Sequence, residues 1–208
     1  MSQYHSLPTG FGISLPAWFR DVAEELPTHI TVPEQRARIV NELAARNIAE
    51  GTGGPFAALV LDQADGAVVS AGVNLVLQSG LASAHAEVVA LSLAQARTGS
   101  WNLGATAEDD RILVVNAQPC VMCLGSLIWS GVHALDFAAS GADVQRITGF
   151  DEGPVPQDWR DQLTMRGIAV HAGRLEAEAH AVLKDFRDRV ENGATTLYNG
   201  GSKVRNVS

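Results

Sequence analysis

Two short motifs constrain this chain more than anything else in it: His85-Ala86-Glu87, and further on Pro119-Cys120-Val121-Met122-Cys123. Cys120 and Cys123 are the only two cysteines among 208 residues. A pair three apart cannot staple a chain of this size, so in a reducing compartment it reads as a metal or redox site. Zinc takes thiolate and imidazole ligands, and a catalytic zinc keeps three protein ligands with the fourth place open. His85, Cys120 and Cys123 supply three such ligands. The other histidines, His5, His29, His133, His171 and His180, lack comparable partners in the sequence.

Helix geometry favours the same grouping. Positions i and i+3 project from one side of a first turn, which brings the two sulfurs together. Pro119 fits at or just before that helix start. A helix N-terminus lowers a thiol pKa and so favours thiolate ligation. His85 also opens a helix, over His85–Arg97. Residues i and i+2 share no face in mid-helix, so Glu87 reaches the metal only if the site lies at the helix end. The pattern therefore predicts two helix N-termini converging on one ion. Glu87 is then the natural proton carrier, taking a proton from water and delivering protons to the substrate. A CxxC alone also fits a structural zinc site or a redox dithiol; a structural site would want a fourth Cys or His, and no second close ligand pair exists.

Around these motifs the chain reads as alternating helices and strands. A short helix is predicted over Leu15–Leu26, and a longer one from Pro33 to the stop at Gly51. Phe56–Leu61 and Ala67–Val73, joined by the Asp65-Gly66 turn, read as a hairpin. Leu75–Ser83 reads as a loop. Arg111–Asn116 is a buried type of strand, Cys120–Ser130 a helix closed by Gly131, and His133–Ala139 a strand. Asp143–Ile147 begins a short helix, and Gly149–Pro156 is a Gly/Pro/acidic loop. A helix over Trp159–Met165 and a strand over Ile168–His171 follow. The stripe Leu175, Ala179, Val182, Phe186, Val190 marks the last helix. From Gly193 the chain reads as a tail or a docking arm. This order predicts an α/β fold, a sheet with helices on both faces, in one domain over 1–208 with an N-terminal extension of about 1–32 and a C-terminal tail of about 193–208. Periodicity does not give the strand order.

Composition limits the partners. The net charge is −8, and lysine occurs only at Lys184 and Lys203. Nucleic-acid binders usually carry a basic stripe, so tRNA or DNA is disfavoured as a partner. No apolar run approaches the ~18 residues of a membrane span. The first residues lack a basic start followed by an apolar stretch, so no signal peptide is expected, and a cytoplasmic location is.

H-x-E followed by P-C-x-x-C is the signature of zinc nucleobase deaminases, and the chain resembles the cytidine deaminase-like superfamily. Gly54-Pro55-Phe56-Ala57-Ala58, Ala71-Gly72-Val73-Asn74 and Cys123-Leu124-Gly125-Ser126 resemble its guanine deaminase branch, including relatives acting on amino-triazines such as ammeline. The likeness runs over roughly residues 35–190. It implies a three-layer α/β/α sandwich with a five-stranded mixed sheet, order 2-1-3-4-5, the first two strands antiparallel, and usually a homodimer. It implies one Zn2+ per chain on His85, Cys120 and Cys123, with Glu87 catalytic. Asn74, Phe56, the Ala86 backbone N–H and Phe150 would bind the heterocycle. Gly149-Phe150-Asp151-Glu152-Gly153-Pro154 resembles a segment whose acidic residue reaches the active site. Glu152 would be the second proton shuttle, with Asp151 as competitor. Trp101 and Tyr198 are aromatic candidates for a lid, with core or tail packing the favoured reading for both. The implied activity is deamination of a small free nucleobase or triazine, guanine to xanthine foremost. A tRNA adenosine deaminase, a cytidine or nucleoside deaminase, and a non-enzymatic zinc-stabilised binding module remain alternatives on the motifs alone.

Overall fold

The computed structural model describes residues 7–106 and 108–200. His5, Lys203 and the last part of the expected tail lie outside them. The elements run α1 (Phe19–Glu25), α2 (Pro33–Ala49), β1 (Ala57–Asp62), β2 (Val68–Val73), α3 (Val76–Ser79), α4 (Ala86–Thr98), β3 (Arg111–Ala117), α5 (Val121–Ser130), β4 (Ala134–Ala139), α6 (Gly141–Thr148), α7 (Trp159–Thr164), β5 (Ala169–Ala172) and α8 (Glu176–Glu191). None of these helices is long and apolar enough to cross a membrane.

The sheet has five strands in the order β2-β1-β3-β4-β5. β1 is antiparallel to both β2 and β3. β3, β4 and β5 are parallel. This is the mixed sheet that the resemblance implied. Alternate residues of the central strands face opposite layers. Ala57, Leu59, Leu61, Ile112 and Val114 pack into one core with α2 and α8. Ala58, Val60, Leu113, Val115, Leu135 and Phe137 pack into the other with α4, α5 and α7. Both faces are covered, which is why β1, β3 and β4 read as continuous apolar runs rather than alternating ones.

Two expectations need correction. Leu75–Ser83 is not all loop: Val76–Ser79 forms α3, ended by Gly80 in the left-handed conformation. Four residues are too short to leave a helical period. The first helix starts at Phe19 rather than Leu15, because Pro16 precedes a turn in which its carbonyl accepts from the Phe19 N–H.

The layer carrying α4 sits unusually close to the sheet. A Cβ on Gly72 would lie 2.7 Å from the Ala90 nitrogen and 2.8 Å from the Ala86 oxygen. Both are backbone atoms of α4 and cannot swing aside. Gly72→Ala is therefore expected to destabilise the fold by roughly 1–3 kcal/mol, read from urea unfolding. It is also expected to lower activity, since the displaced turn carries Glu87.

Candidate active site

The site lies where α4 and α5 begin. His85 is the N-cap of α4 and Cys120 the N-cap of α5, both in extended backbone. Cys120 thus stands one position before the first turn rather than within it, and Cys123 follows inside the helix. Because His85 is the cap, Glu87 two residues on is at the helix end and shares its surroundings. The two helix starts meet: the Nδ1 of His85 is 3.5 Å from the sulfur of Cys120 and 3.5 Å from that of Cys123. All three ligand atoms lie within 4.8 Å of one another. A tetrahedral ion with Zn–S of ~2.3 Å and Zn–N of ~2.0–2.1 Å would hold neighbouring ligand atoms ~3.5 Å apart. Donor types and spacing both fit zinc.

Charge in the site is finely divided. The hydrogen bond with Cys123 lowers the Cys120 thiol to about 4, against the penalty of burial and with help from His85. Cys123 is pushed the other way by that same hydrogen bond and by its own burial. Burial alone would lower His85, but its hydrogen bond to Cys120 and the negative charge of Glu87 raise it. Burial and the Cys120 thiolate raise Glu87 to about 6. Burial, the Cys120 thiolate and Glu87 raise Glu152 to about 8. Such displaced carboxyls in a cleft are what proton-transfer chemistry needs.

Glu152 reaches the site from the loop after α6. Its carbonyl accepts from the Val121 N–H at 3.1 Å, tying the loop to the start of α5. Gly153, at φ +71°, continues the turn where a Cβ would meet Val121 at 2.6 Å. Glu152 is buried, whereas Asp151 is exposed and its carboxylate accepts from the Gly153 N–H. Both touch the cavity, but only Glu152 is withdrawn from bulk water.

The cavity has a volume of about 210 Å³. Its wall includes His85, Glu87, Cys120 and Glu152, with Phe56 and Phe150. The Phe56 and Phe150 rings are 5.4 Å apart, and Tyr198 lies 4.9 Å from Phe150. Phe150 also stacks on Phe186 of α8 at 5.2 Å, which fixes its ring. Tyr198 arrives from the C-terminal segment. Asn199 holds that segment in place, accepting from the Asp151 N–H at 3.0 Å and donating to the Gly149 carbonyl at 3.0 Å. Trp101, the other lid candidate, is 76% exposed and is not on the cavity wall.

Asn74 and Ala86 are buried beside the cavity rather than on its wall. The Asn74 Oδ1 accepts from the Gly54 N–H at 3.3 Å and the Val76 N–H at 3.2 Å. Those two contacts aim its amide nitrogen, which has no hydrogen-bond partner. The buried Tyr198 hydroxyl lies near Asn74 and Gly54 and also lacks a well-formed partner.

Two positioning residues escaped the sequence reading. The Asn47 amide donates to the carbonyls of Gly54 at 2.9 Å and Asn74 at 2.8 Å. Asn116 accepts from the Ala57 N–H at 2.9 Å and donates to the Pro55 carbonyl at 2.8 Å. Together they pin the loop that presents Phe56. The signal was an asparagine inside an apolar stripe, in α2 and at the end of β3.

The sequence pattern of the family described as "Cytidine and deoxycytidylate deaminase zinc-binding region" matches residues 32–139. The chain belongs to this deaminase family. The structure of a guanine deaminase from Nitrosomonas europaea is 42% identical, with a TM-score of 0.82 over 88% of this chain and 99% of that one. NE0047 in complex with 2,6-diaminopurine is 42% identical, with a TM-score of 0.81 over 90% of this chain and 96% of that one. The guanine deaminase of Bacillus subtilis is 39% identical over 110 residues, 53% of this chain and 65% of that protein. The chain thus spans less than two thirds of the Bacillus relative. As a member of the deaminase family it has a zinc cofactor, for which His85, Cys120 and Cys123 are the fitting ligands.

Proposed function

We propose that this chain hydrolyses a free aminated heterocycle, guanine to xanthine plus ammonia foremost, with amino-triazines such as ammeline as a second class. One observation carries this reading. Two buried carboxylates, Glu87 and Glu152, come from different elements to one small cavity beside the zinc ligands. The likeness to guanine deaminases over nearly the whole of one solved relative supports the substrate.

His85, Cys120 and Cys123 would hold the zinc, which would supply a Lewis acid and lower the pKa of a water toward neutrality. Glu87 takes a proton from the attacking water and passes it to the ring nitrogen next to the carbon under attack. Glu152, with its raised pKa, carries a proton at neutral pH and gives it to the departing amino nitrogen. The C–O bond forms as water attacks, the exocyclic C–N bond breaks, ammonia leaves, and the hydroxyl proton passes to Glu152 as the carbonyl forms, restoring its acid form. Phe56, Phe150 and Tyr198, packed against one another, form an aromatic wall against which the ring lies and keep bulk water out. At about 210 Å³ the cavity falls below the ~300 Å³ lower end of drug-sized sites, which suits a bare base.

The free Asn74 amide is proposed to donate to a ring acceptor, with the Ala86 N–H beside it. Asn74→Ala is then expected to raise KM for guanine roughly tenfold, with a smaller change in kcat, measured by initial-rate kinetics. An unchanged KM would remove Asn74 from substrate binding.

The direct test of the activity is ammonia release by zinc-loaded protein from a panel of aminated purines, pyrimidines and triazines. Release from guanine supports the proposal. No release from guanine or ammeline, with turnover of cytidine or of a tRNA anticodon stem, overturns it.

A homodimer and a cytoplasmic location belong to the same proposal. Trp129 on α5 is 80% exposed, next to a shallow hollow formed with Val88, Ser92 and Gln95 of α4. This face is proposed as the dimer contact. Trp129→Asp is expected to shift the protein to monomer in sedimentation velocity, and an unchanged sedimentation coefficient would exclude this face.

A further inference from the structure

A second group of metal-ligating side chains lies at the contact of α6 with α8. Asp143, Glu176 and His180 each offer a ligand atom, and these atoms lie within 4.8 Å of one another. Glu176 and His180 are i and i+4 on α8, so both side chains point from one face. Asp143 comes from the first turn of α6. The Nε2 of His180 is 3.4 Å from Oδ2 of Asp143 and 3.8 Å from Oε1 of Glu176. That nitrogen is buried yet has no hydrogen-bond partner.

Those separations are informative. A direct N–H···O bond sits near ~2.9 Å, so both contacts are ion-pair separations for a protonated His180 rather than hydrogen bonds. Ligands ~2.0–2.2 Å from a tetrahedral ion sit ~3.4 Å apart. The group has the open spacing of a metal shell, as the His85–cysteine site does at 3.5 Å. Asp143 is held as a carboxylate, at a pKa of about 2, by hydrogen bonds from Ser140 and Arg146. Ser140 Oγ donates to the same Oδ2 at 2.6 Å, and Arg146 takes the other oxygen. The carboxylate is thereby fixed in orientation, with Oδ2 turned to His180. One imidazole with two carboxylates suits zinc-class ions rather than calcium or magnesium, which prefer oxygen alone.

We propose that Asp143, Glu176 and His180 form a second metal site that takes a divalent transition ion of the zinc class and clamps α6 to α8. The placement gives the clamp a purpose. α6 runs directly into Gly149–Glu152, and α8 runs on to Tyr198 and Asn199. These two extensions meet at the cavity through the Asn199 hydrogen bonds to Gly149 and Asp151. An ion between the helices stiffens the frame from which both extensions hang.

Cobalt separates the two sites. The first site contains two cysteines and gives a sulfur-to-metal charge-transfer band; the second contains only nitrogen and oxygen and gives none. Full-length metal-free protein is titrated with Co2+ and bound metal is measured by equilibrium dialysis. The wild type is expected to bind two equivalents, the second without further rise of the charge-transfer band. His180→Gln is expected to bind one, with that band intact. Glu176→Gln is expected to weaken the second equivalent by roughly 100-fold, since loss even of an outer partner costs 10–100-fold. Thermal melting of holoprotein carrying one equivalent should rise on adding the second in the wild type and not in His180→Gln. One equivalent in the wild type, or two in His180→Gln, overturns the proposal. Neither result bears on which heterocycle the first site deaminates.

Discussion

Glu87→Ala is expected to keep its metal and lose its turnover. The carboxylate is not one of the three ligand positions, so metal content at the His85–cysteine site should match the wild type. What disappears, on the mechanism proposed above, is the group that accepts a proton from water and delivers it to the ring. Positioned acid–base catalysis is worth 10²–10⁴-fold, and here one residue serves in two directions, so the loss in kcat should be roughly 10⁴-fold. Glu87 is buried beside Cys120 and Cys123, so its alanine variant also removes a costly buried carboxyl. Stability should therefore hold or rise, which separates a chemical defect from a folding one. The check is kcat alongside metal analysis and a melting curve. Normal turnover with full metal would end the mechanism proposed above and favour a binding module built around zinc.

Glu152→Gln is the second large expected effect, a fall in kcat of roughly 10²–10³-fold with KM changed by less than about threefold. Glutamine keeps the volume and the backbone tie to Val121 but cannot hand over a proton. Asp151→Asn is the paired control. Asp151 is exposed and spends a carboxylate oxygen on the Gly153 N–H, so its variant should retain most activity. If Asp151→Asn is the crippled one, the two carboxylates have exchanged roles. Steady-state kinetics on both variants decides between them.

Much of this site was readable from residue type and spacing, for a physical reason. Metal ligands announce themselves because few other jobs need a cysteine pair at i, i+3 and a histidine at a helix start. The boundaries of α2 followed from Pro33 and Gly51, and those of β1 and β3 from apolar runs between turn signals. Strand order did not follow from any period; it came from the likeness to a known family, since pairing is decided by contacts far apart in sequence. α3 was missed because one turn has no repeat. α6 was expected from Asp143 but starts at Gly141, with Ser140 as a cap that accepts from the Asp143 N–H. Asp151 and Glu152 could not be separated in sequence, because adjacent residues of a loop exchange faces with a small rotation. The ties of Asp151 to Asn199 and of Glu152 to Val121 set that rotation, and both are long-range. Tyr198 was one of two aromatic candidates, and only the docking of Asn199 on the Gly149–Asp151 loop distinguishes it from Trp101.

That docking has a consequence for how the protein would fail. The stretch between Glu191, where α8 ends, and Tyr198 makes no strand and no helix, yet it delivers an aromatic wall of the cavity. A protease that cuts there would leave the sheet, both helical layers, the zinc ligands and both carboxylates untouched. The nicked protein would give the same circular dichroism, nearly the same melting curve and full metal content, while the ring it must grip had lost one of its three aromatic neighbours. A preparation judged sound by those criteria could still be inactive, and intact mass is the measurement that would reveal why.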